Sequence, residues 1–311
     1  MSGAEVEHQP VLCDAVLSLV KPQPGEVVVD ATAGHGGHAS LLARAIGSTG
    51  RLIGLDVDAG NLAKAAARVE AVCPAGGGPK CDWVRSNFAE LPAVLTGLGV
   101  GSVDVILADL GPSTDQLMDS GRGLSFSEDG PLDMRLDDRL DRDAADLVNS
   151  LSESALSDLL WEHSQERYSR RIAKRICQDR RETRIRRTSE LVRIVCSALG
   201  VSPHSHPGKI HPATRTFMAL RMAVNSEVAN LESLLKASPE LLGMGGRLAV
   251  ISFHSGEDRI VKHCFLDCRR AGVYDILTKK PVPASREEAE RNPRSRSAKL
   301  RVAVRVAGSA S

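Results

Sequence analysis

Four aspartates sit where apolar runs end: Asp30 after VVV, Asp56 and Asp58 in GLDVD, and Asp109 after VILA. Behind the first lies the turn DATAGHGGHAS, residues 30–40, in which Gly34, Gly36 and Gly37 alternate with His35 and His38. Glycines directly after a strand let a ligand approach the backbone closely. The spacing G34-x-G36-G37 lacks the third glycine of the dinucleotide fingerprint, so the motif alone does not choose the ligand. Asp56, about twenty residues beyond the turn, is placed to accept hydrogen bonds from ribose hydroxyls in a dinucleotide or an S-adenosylmethionine site alike. Charge separates the two. A pyrophosphate favours helix N-termini without nearby carboxylates, whereas a ring of strand-end aspartates suits an ammonium and a sulfonium. The turn therefore reads as an S-adenosylmethionine site rather than an NAD site, with Asp30 as a helix cap or loop brace the structural alternative.

The fold must deliver those aspartates to one edge. EVVVDATA (26–33), GRLIGLDVD (50–58), CDWVRSNFAEL (81–91) and SVDVILADLG (102–111) predict strands, with helices at 38–47 and 59–73 between them. Apolar strands alternating with helices predict an α/β class with a parallel, doubly wound sheet, whose ligands bind beyond the strands' carboxyl ends. From about residue 115 to 212 no strand pattern appears. An acidic loop, GRGLSFSEDGPLDMRLDD, precedes helical patterns at 152–164, 166–181 and 189–200, with Tyr168, Ile172 and Ile176 spaced as one apolar stripe. SPHSHPGKIHPATR (202–215) reads as a linker, 213–238 as one long helix and GGRLAVISFHS (245–255) as a buried strand. EDRIVKHCFLDCRRAG reads as a helix and RSAKLRVAVRV as an alternating edge strand. The prediction is a Rossmann-like sheet domain, 1–114 and 213–311, interrupted by an all-helical insert, 115–212.

Composition narrows the class. With 42% hydrophobic and 25% charged residues the chain is an ordinary globular protein, and no apolar run approaches membrane-spanning length. The polar start MSGAEVEHQP has no apolar signal core, so a cytoplasmic location without a membrane partner is expected. Seven irregularly spaced cysteines contain no CxxC pair, which argues against a disulfide framework and against a metal site. Net charge is only +1, but it is unevenly placed: residues 163–193 carry eleven Lys/Arg against four acids, and 279–305 carry nine against three. Two basic segments in a nearly neutral chain point to a polyanion, with solvated helix faces the plain alternative.

These residues also carry a resemblance. DATAGHGGH, GLDVD, DLGPSTDQLMDSGRGLSFSEDGPLDMR, ERYSRRIAKRI, HPATRTFMALRMAVN, GGRLAVISFHSGEDRIVK and NPRSRSAKLR follow in order, from HQPVLCDAV to the final strand pattern. Together they resemble the ribosomal small subunit methyltransferase H family, MraW-like enzymes that methylate the exocyclic N4 of a cytidine in the decoding region of 16S rRNA. The resemblance implies a class I methyltransferase sheet domain with an inserted helical, substrate-binding domain, and S-adenosyl-L-methionine as cofactor. Matched position by position, it implies cofactor contacts at Gly36, Gly37, His38, Asp56, Phe88, Asp109 and Gln116. It also implies 16S rRNA within the small ribosomal subunit as partner and is compatible with a homodimer. The chain departs from the family at DLGPST, where DLGVSS is usual, and at SFHSGEDR, where SFHSLEDR is usual. Pro112 moves the first motif toward the Asp-Pro-Pro-aromatic type of other amino-methyltransferases.

A cytosine amino group is a poor nucleophile because its lone pair is delocalised into the ring. It needs acceptors that hold its N–H groups and aim the lone pair, rather than a strong base. Asp109, with the carbonyls of Leu110 and Gly111, is the expected acceptor set, and Pro112, Ser252 and His254 join it as catalytic candidates. Asp133 and Arg135 in GPLDMR, with His211 and Arg215 in HPATR, are candidates for shaping the substrate pocket, and each pair has a bracing role as its alternative. Only nine Phe, Trp and Tyr residues are present, so stacking platforms are scarce. Phosphate contacts from Arg170, Arg171, Lys174, Arg175, Arg294, Arg296, Lys299 and Arg301 are then expected to carry RNA affinity. The competing readings are an NAD-dependent oxidoreductase, a non-catalytic RNA-binding or assembly factor, and a protein or DNA methyltransferase.

Overall fold

A computed structural model describes residues 10–73, 76–203 and 210–306. In chain order the elements are α1 (Cys13–Val20), β1 (Val27–Asp30), α2 (Gly37–Ile46), β2 (Arg51–Asp56), α3 (Ala59–Val72), β3 (Lys80–Arg85), α4 (Leu91–Gly97) and β4 (Val103–Asp109). Six helices follow: α5 (Thr114–Met118), α6 (Ala144–Ser150), α7 (Glu153–Ser164), α8 (Ser169–Asp179), α9 (Thr188–Leu199) and α10 (Thr214–Val224). The chain continues through α11 (Glu227–Leu241), β5 (Leu242–Ser252), α12 (Ser255–Arg270), β6 (Tyr274–Ile276), β7 (Val282–Pro283), α13 (Arg286–Arg291) and β8 (Lys299–Arg305). Two compact units result, one from residues up to Gly111 and from Ala229 onward, the other Pro112–Val228.

The first unit is an α/β sheet in the order β3-β2-β1-β4-β5-β8-β6, with β7 also paired to β8. The strands β3, β2, β1, β4 and β5 run parallel, and β8 returns antiparallel to β5. Successive residues of the parallel strands serve opposite faces, which is why the runs are apolar throughout. Val28, Leu52 and Val105 pack on one face with Val16, Leu42, Ile46 and Val69. Val29, Ile53 and Ile106 pack on the other with Leu91, Leu231, Leu234, Val261 and Phe265. Because these strands point the same way, Asp30, Asp56, Asp109 and Ser252 all end on one edge of the sheet.

The second unit is helical. Leu132, Met134, Val148, Leu160, Ile172, Ile176, Leu191, Ile194, Phe217 and Leu220 close its core. Among its described residues the only β pairing is the isolated bridge Pro131–Arg187. Met134, buried within the GPLDMR loop, takes a left-handed φ of 64°, a conformation its surroundings must enforce.

The structure differs from the sequence reading in four places. The predicted single helix 213–238 is two, α10 and α11, because Asn225 leaves the helical pattern. Its Nδ2 donates to Met134 O (2.8 Å), its Oδ1 accepts from Leu136 N (2.8 Å), and Ser226 turns left-handed at φ 49°. The helical unit also runs beyond 212, since Ala213, Phe217, Leu220 and Val224 pack into its core. The strand β8 is not an edge: β5 lies on one side, β6 and β7 on the other, and Leu300, Val302 and Ala303 are fully buried. On α8, Ile172 and Ile176 face the core, but Tyr168 at the helix start is 54% exposed. The polar amino terminus and residues 204–209 of the expected linker lie outside the described residues. Among the described residues no helix is long and apolar enough to cross a membrane, and no cluster of His, Cys, Asp or Glu could hold a metal.

Candidate active site

The carboxylate edge of the sheet unit is built from backbone outward. After β1, the turn places Gly36 at φ 76° and closes against α3, so that a Cβ there would sit 2.7 Å from Ala65 Cα. A Cβ on Gly37 would meet Pro10 Cβ at 2.8 Å. Both glycines are therefore required by the protein's own packing, before any ligand enters. Gly34 N donates to Asp56 Oδ2 at 2.9 Å, which ties the turn to β2.

Asp56 also accepts from Asp58 N (2.8 Å) and Asn61 Nδ2 (3.2 Å), and its pKa is raised because burial outweighs these donors. Asp58 is a helix cap, with its side chain accepting from Gly60 N and Asn61 N at the start of α3. It therefore leaves the ring of four aspartates expected around the ligand, and three remain.

Two of those three are incompletely satisfied. Asp30 is 1% exposed; its Oδ1 accepts from Thr32 N at 3.3 Å, while Oδ2 has no hydrogen-bond partner. Asp109 has one oxygen, Oδ2, 3.7 Å from His38 Nε2 and the other, Oδ1, buried without a partner. Its backbone N–H donates to Thr32 Oγ1 at 2.7 Å, which ties the end of β4 to the turn after β1. Burial, then the neighbouring Asp30 charge, pushes Asp109 up to about 8, with Arg294 opposing the shift. Burial, followed by Asp56, likewise raises Asp30 to about 7. Buried carboxylates with orphaned oxygens are expensive unless something cationic meets them. The edge is chemically prepared for a positively charged ligand.

Other expected residues take definite places. Phe88 opens a short turn after β3, half-buried, on the same sheet edge. Ser252 is buried at the end of β5 with its hydroxyl 3.5 Å from Lys299 O. His254 caps α12: its Nδ1 accepts from Glu257 N (3.3 Å), and Glu257 Oε2 accepts from Phe253 N (2.9 Å). Only one ring nitrogen is used by this cap: Nε2 is buried without a hydrogen-bond partner, 3.2 Å from Glu257 Oε1.

The helical unit holds Pro112 and Gln116, the latter buried and engaged in a capping box with Ser113. Asp133 and Arg135 form a bidentate pair at 2.8 and 2.7 Å, and Arg135 also reaches Leu140 O, so they brace their own loop. His211 caps in the same way, with Nδ1 accepting from Ala213 N and the ring 4.7 Å from Phe126, while Arg215 is exposed. Part of the basic run is consumed locally: Arg175 pairs with Asp179, Arg184 with Asp146 and Arg187 with Asp129. Arg167, Arg170, Arg171 and Lys174 remain exposed with no ion pair among the described residues.

In the C-terminal basic segment two expectations change. Arg301 is 5% exposed and grips Asp258 through Nε and Nη2 at 2.7 and 3.2 Å, so it is a core ion pair and not a phosphate contact. Arg294 is half-buried and faces Asp109 electrostatically, a role invisible in the sequence because 185 positions (294 − 109) separate the two. Arg296 is exposed, donating to Ala289 O at 3.2 Å, and Lys299 is half-buried in β8.

Comparison with known proteins places this edge in context. The model of the MraW methylase family matches residues 5–306. A protein from Syntrophobacter fumaroxidans named ribosomal RNA small subunit methyltransferase H is 44% identical over 314 residues, covering 96% of each chain. Proteins of the same name from Sorangium cellulosum and Acidobacterium capsulatum are 46% and 43% identical, covering 97% and 95% of this chain and 92% and 97% of theirs.

Proposed function

Because the chain belongs to the MraW methylase family, we propose that it uses S-adenosyl-L-methionine to methylate the exocyclic N4 of a cytidine in the decoding region of 16S rRNA. The observation that carries the cofactor reading is the pair of orphaned buried carboxylate oxygens, Asp30 Oδ2 and Asp109 Oδ1, on the carboxyl edge of the sheet. They fit a ligand bearing an ammonium and a sulfonium and would repel a pyrophosphate, which disfavours the NAD-dependent alternative.

The cofactor, when bound, supplies an activated methyl group at a positive sulfur. Gly36, Gly37 and His38 would hold its methionine end and Asp56 its ribose, the carboxylate being pre-oriented by Gly34 N and Asp58 N. Phe88 would pack against adenine, and Gln116 is assigned as a further contact. Asp109 would accept an N–H of the cytosine amine, so that the lone pair is held toward the methyl rather than conjugated with the ring. As the N–C bond forms, the N–H proton passes to Asp109. Pro112, with its fixed φ, directs the chain immediately after this acceptor. Ser252 and His254 keep the end of β5 and the start of α12 in place, a positioning role.

Chemistry on a base requires it to leave the stack, so the RNA must offer an unstacked cytidine. The exposed Arg170, Arg171 and Lys174 on α8 would meet its phosphates. Replacing these three by alanine lowers the slope of log K against log salt by about 2, at roughly 0.7 per contact on single-stranded RNA. Filter binding across a salt series measures it; an unchanged slope removes α8 from the interface.

The direct test is mass spectrometry of 16S rRNA nucleosides from a strain lacking the gene. Loss of N4-methylcytidine, restored by the gene on a plasmid, is expected. An unchanged level would refute the N4-cytidine assignment and favour a non-catalytic assembly factor or another methyl acceptor.

A further inference from the structure

Asp30 and Asp109 end neighbouring strands, with Asp30 in register with Leu107, two residues before Asp109. Each presents one oxygen with no hydrogen-bond partner, and Thr32, directly after the Asp30–Ala31 step, ties both together. Thr32 N donates to Asp30 Oδ1 and Thr32 Oγ1 accepts from Asp109 N.

We propose that Asp30 is a positioning residue which, with Asp109, forms a proton-sharing carboxylate pair that releases a proton when the cationic cofactor binds and recovers one from the substrate amine. The inference rests on the cofactor reading above and adds to it a residue and a coupling.

Two buried carboxylates on one low-dielectric edge cannot both ionise at low cost, so before the cofactor binds the pair retains a proton. Burial raises both groups, to about 7 for Asp30 and about 8 for Asp109, and each is raised further by a neighbouring carboxylate. The remaining groups around the pair do not remove the effect. Asp56 on β2 and Glu257 on α12 add negative charge. Cys13 on α1, itself held up to about 12, stays a neutral thiol. His38 on α2 lies against Asp109, and the charge of Arg294 pulls Asp109 down. Backbone N–H groups of Thr32 and Ala39 pull Asp30 down. An arriving ammonium and sulfonium stabilise the ionised forms, so the bound proton leaves. Methyl transfer then forms an N–C bond with the amine lone pair, leaves the C–S pair on sulfur and frees one N–H proton. Sulfur has become neutral, so the pair takes that proton back onto Asp109. No other acid or base is needed.

Calorimetric titration of the full-length protein in buffers of different ionisation enthalpy reads the proton directly. At pH 7, below the usual range of an α-amino group, S-adenosylmethionine binding releases on the order of one proton. S-adenosylhomocysteine, lacking the sulfonium, releases less. The Asp30→Asn variant binds but with release reduced several-fold, because the remaining carboxylate ionises closer to its ordinary value. A thermal melt of that variant establishes that it is folded. Binding whose enthalpy is the same in every buffer would overturn the proton-sharing pair while leaving the cofactor assignment intact. Unchanged release in Asp30→Asn would overturn the role of Asp30. No binding of the cofactor in any buffer would remove the assignment itself, and the inference with it.

Discussion

Asp109→Asn lowers kcat by roughly 10²- to 10³-fold while the protein stays folded. The amide keeps an acceptor oxygen and the shape of the carboxyl, so cofactor and base still find their places. On the proposed mechanism, what is lost is the ability to take the amine proton and the negative charge that holds the N–H. The fully protonated and fully ionised forms of the wild type also differ, so the rate depends on pH. Burial pushes Asp109 up to about 8, and kcat/KM, which reports the free enzyme, should therefore rise toward that value. A cationic cofactor stabilises the carboxylate, which places the rise of kcat at lower pH. The variant should lose this limb from both profiles. Single-turnover methylation of rRNA across pH 5.5–9 measures both, and a kcat within a few-fold of wild type would end the case for Asp109 as proton acceptor.

The same substitution should stabilise the fold, and the sign follows from linkage. An acid raised on folding binds more protons in the native than in the unfolded state between its unfolded value, near 4, and its folded value, near 8. Native stability therefore falls as pH climbs through that window, and Asp109→Asn removes the fall. A variant that is slower but melts higher at pH 8 than wild type is the signature of a site that keeps unfavourable charge for use.

Arg301→Ala is expected to cost about 3–5 kcal/mol, the range for removing one partner of a buried ion pair. Arg301 is 5% exposed in β8, and its loss leaves Asp258 on α12 with no counter-charge in a largely buried place. Replacing both by well-packed apolar residues should recover much of the loss, since the penalty arises from the orphaned charge rather than from the missing attraction. Urea unfolding of the two variants tests this. An Arg301→Ala protein of wild-type stability whose RNA affinity falls with an altered salt slope would return this residue to the phosphate-contact role that its sequence neighbourhood suggested.

Arg301 shows why charge runs are ambiguous. RSRSAKLR looks like one basic segment, yet β8 carries Arg301 inward to Asp258 while Arg296, in the turn before the strand, stays outside. The run at 163–193 divides likewise: Arg175, Arg184 and Arg187 neutralise acids of their own unit, and Arg170, Arg171 and Lys174 face water. Net charge by segment counts both kinds equally, because pairing depends on which residues three-dimensional packing brings within reach.

The sequence by itself determined the α/β sheet and its strand-end aspartates, since short, continuous apolar runs bounded by glycine and aspartate and alternating with helical patterns leave little choice of element. It determined the helical interruption for the same reason: a stretch of period-3.6 patterning without a strand cannot join a sheet. It also supplied the family, through motifs spread along nearly the whole chain. Only the tertiary structure decided which of these residues are spent on the fold. Asp58 and His254 became caps, Asn225 broke a helix, and Gly36 and Gly37 answered to Ala65 and Pro10. It also brought Arg294 to Asp109 and left Asp30 and Asp109 with unmatched oxygens on adjacent strands. Propensity and periodicity are local, but desolvation and charge pairing depend on residues far apart in sequence, such as Arg294 and Asp109, 185 positions apart (294 − 109), which only the folded chain brings together.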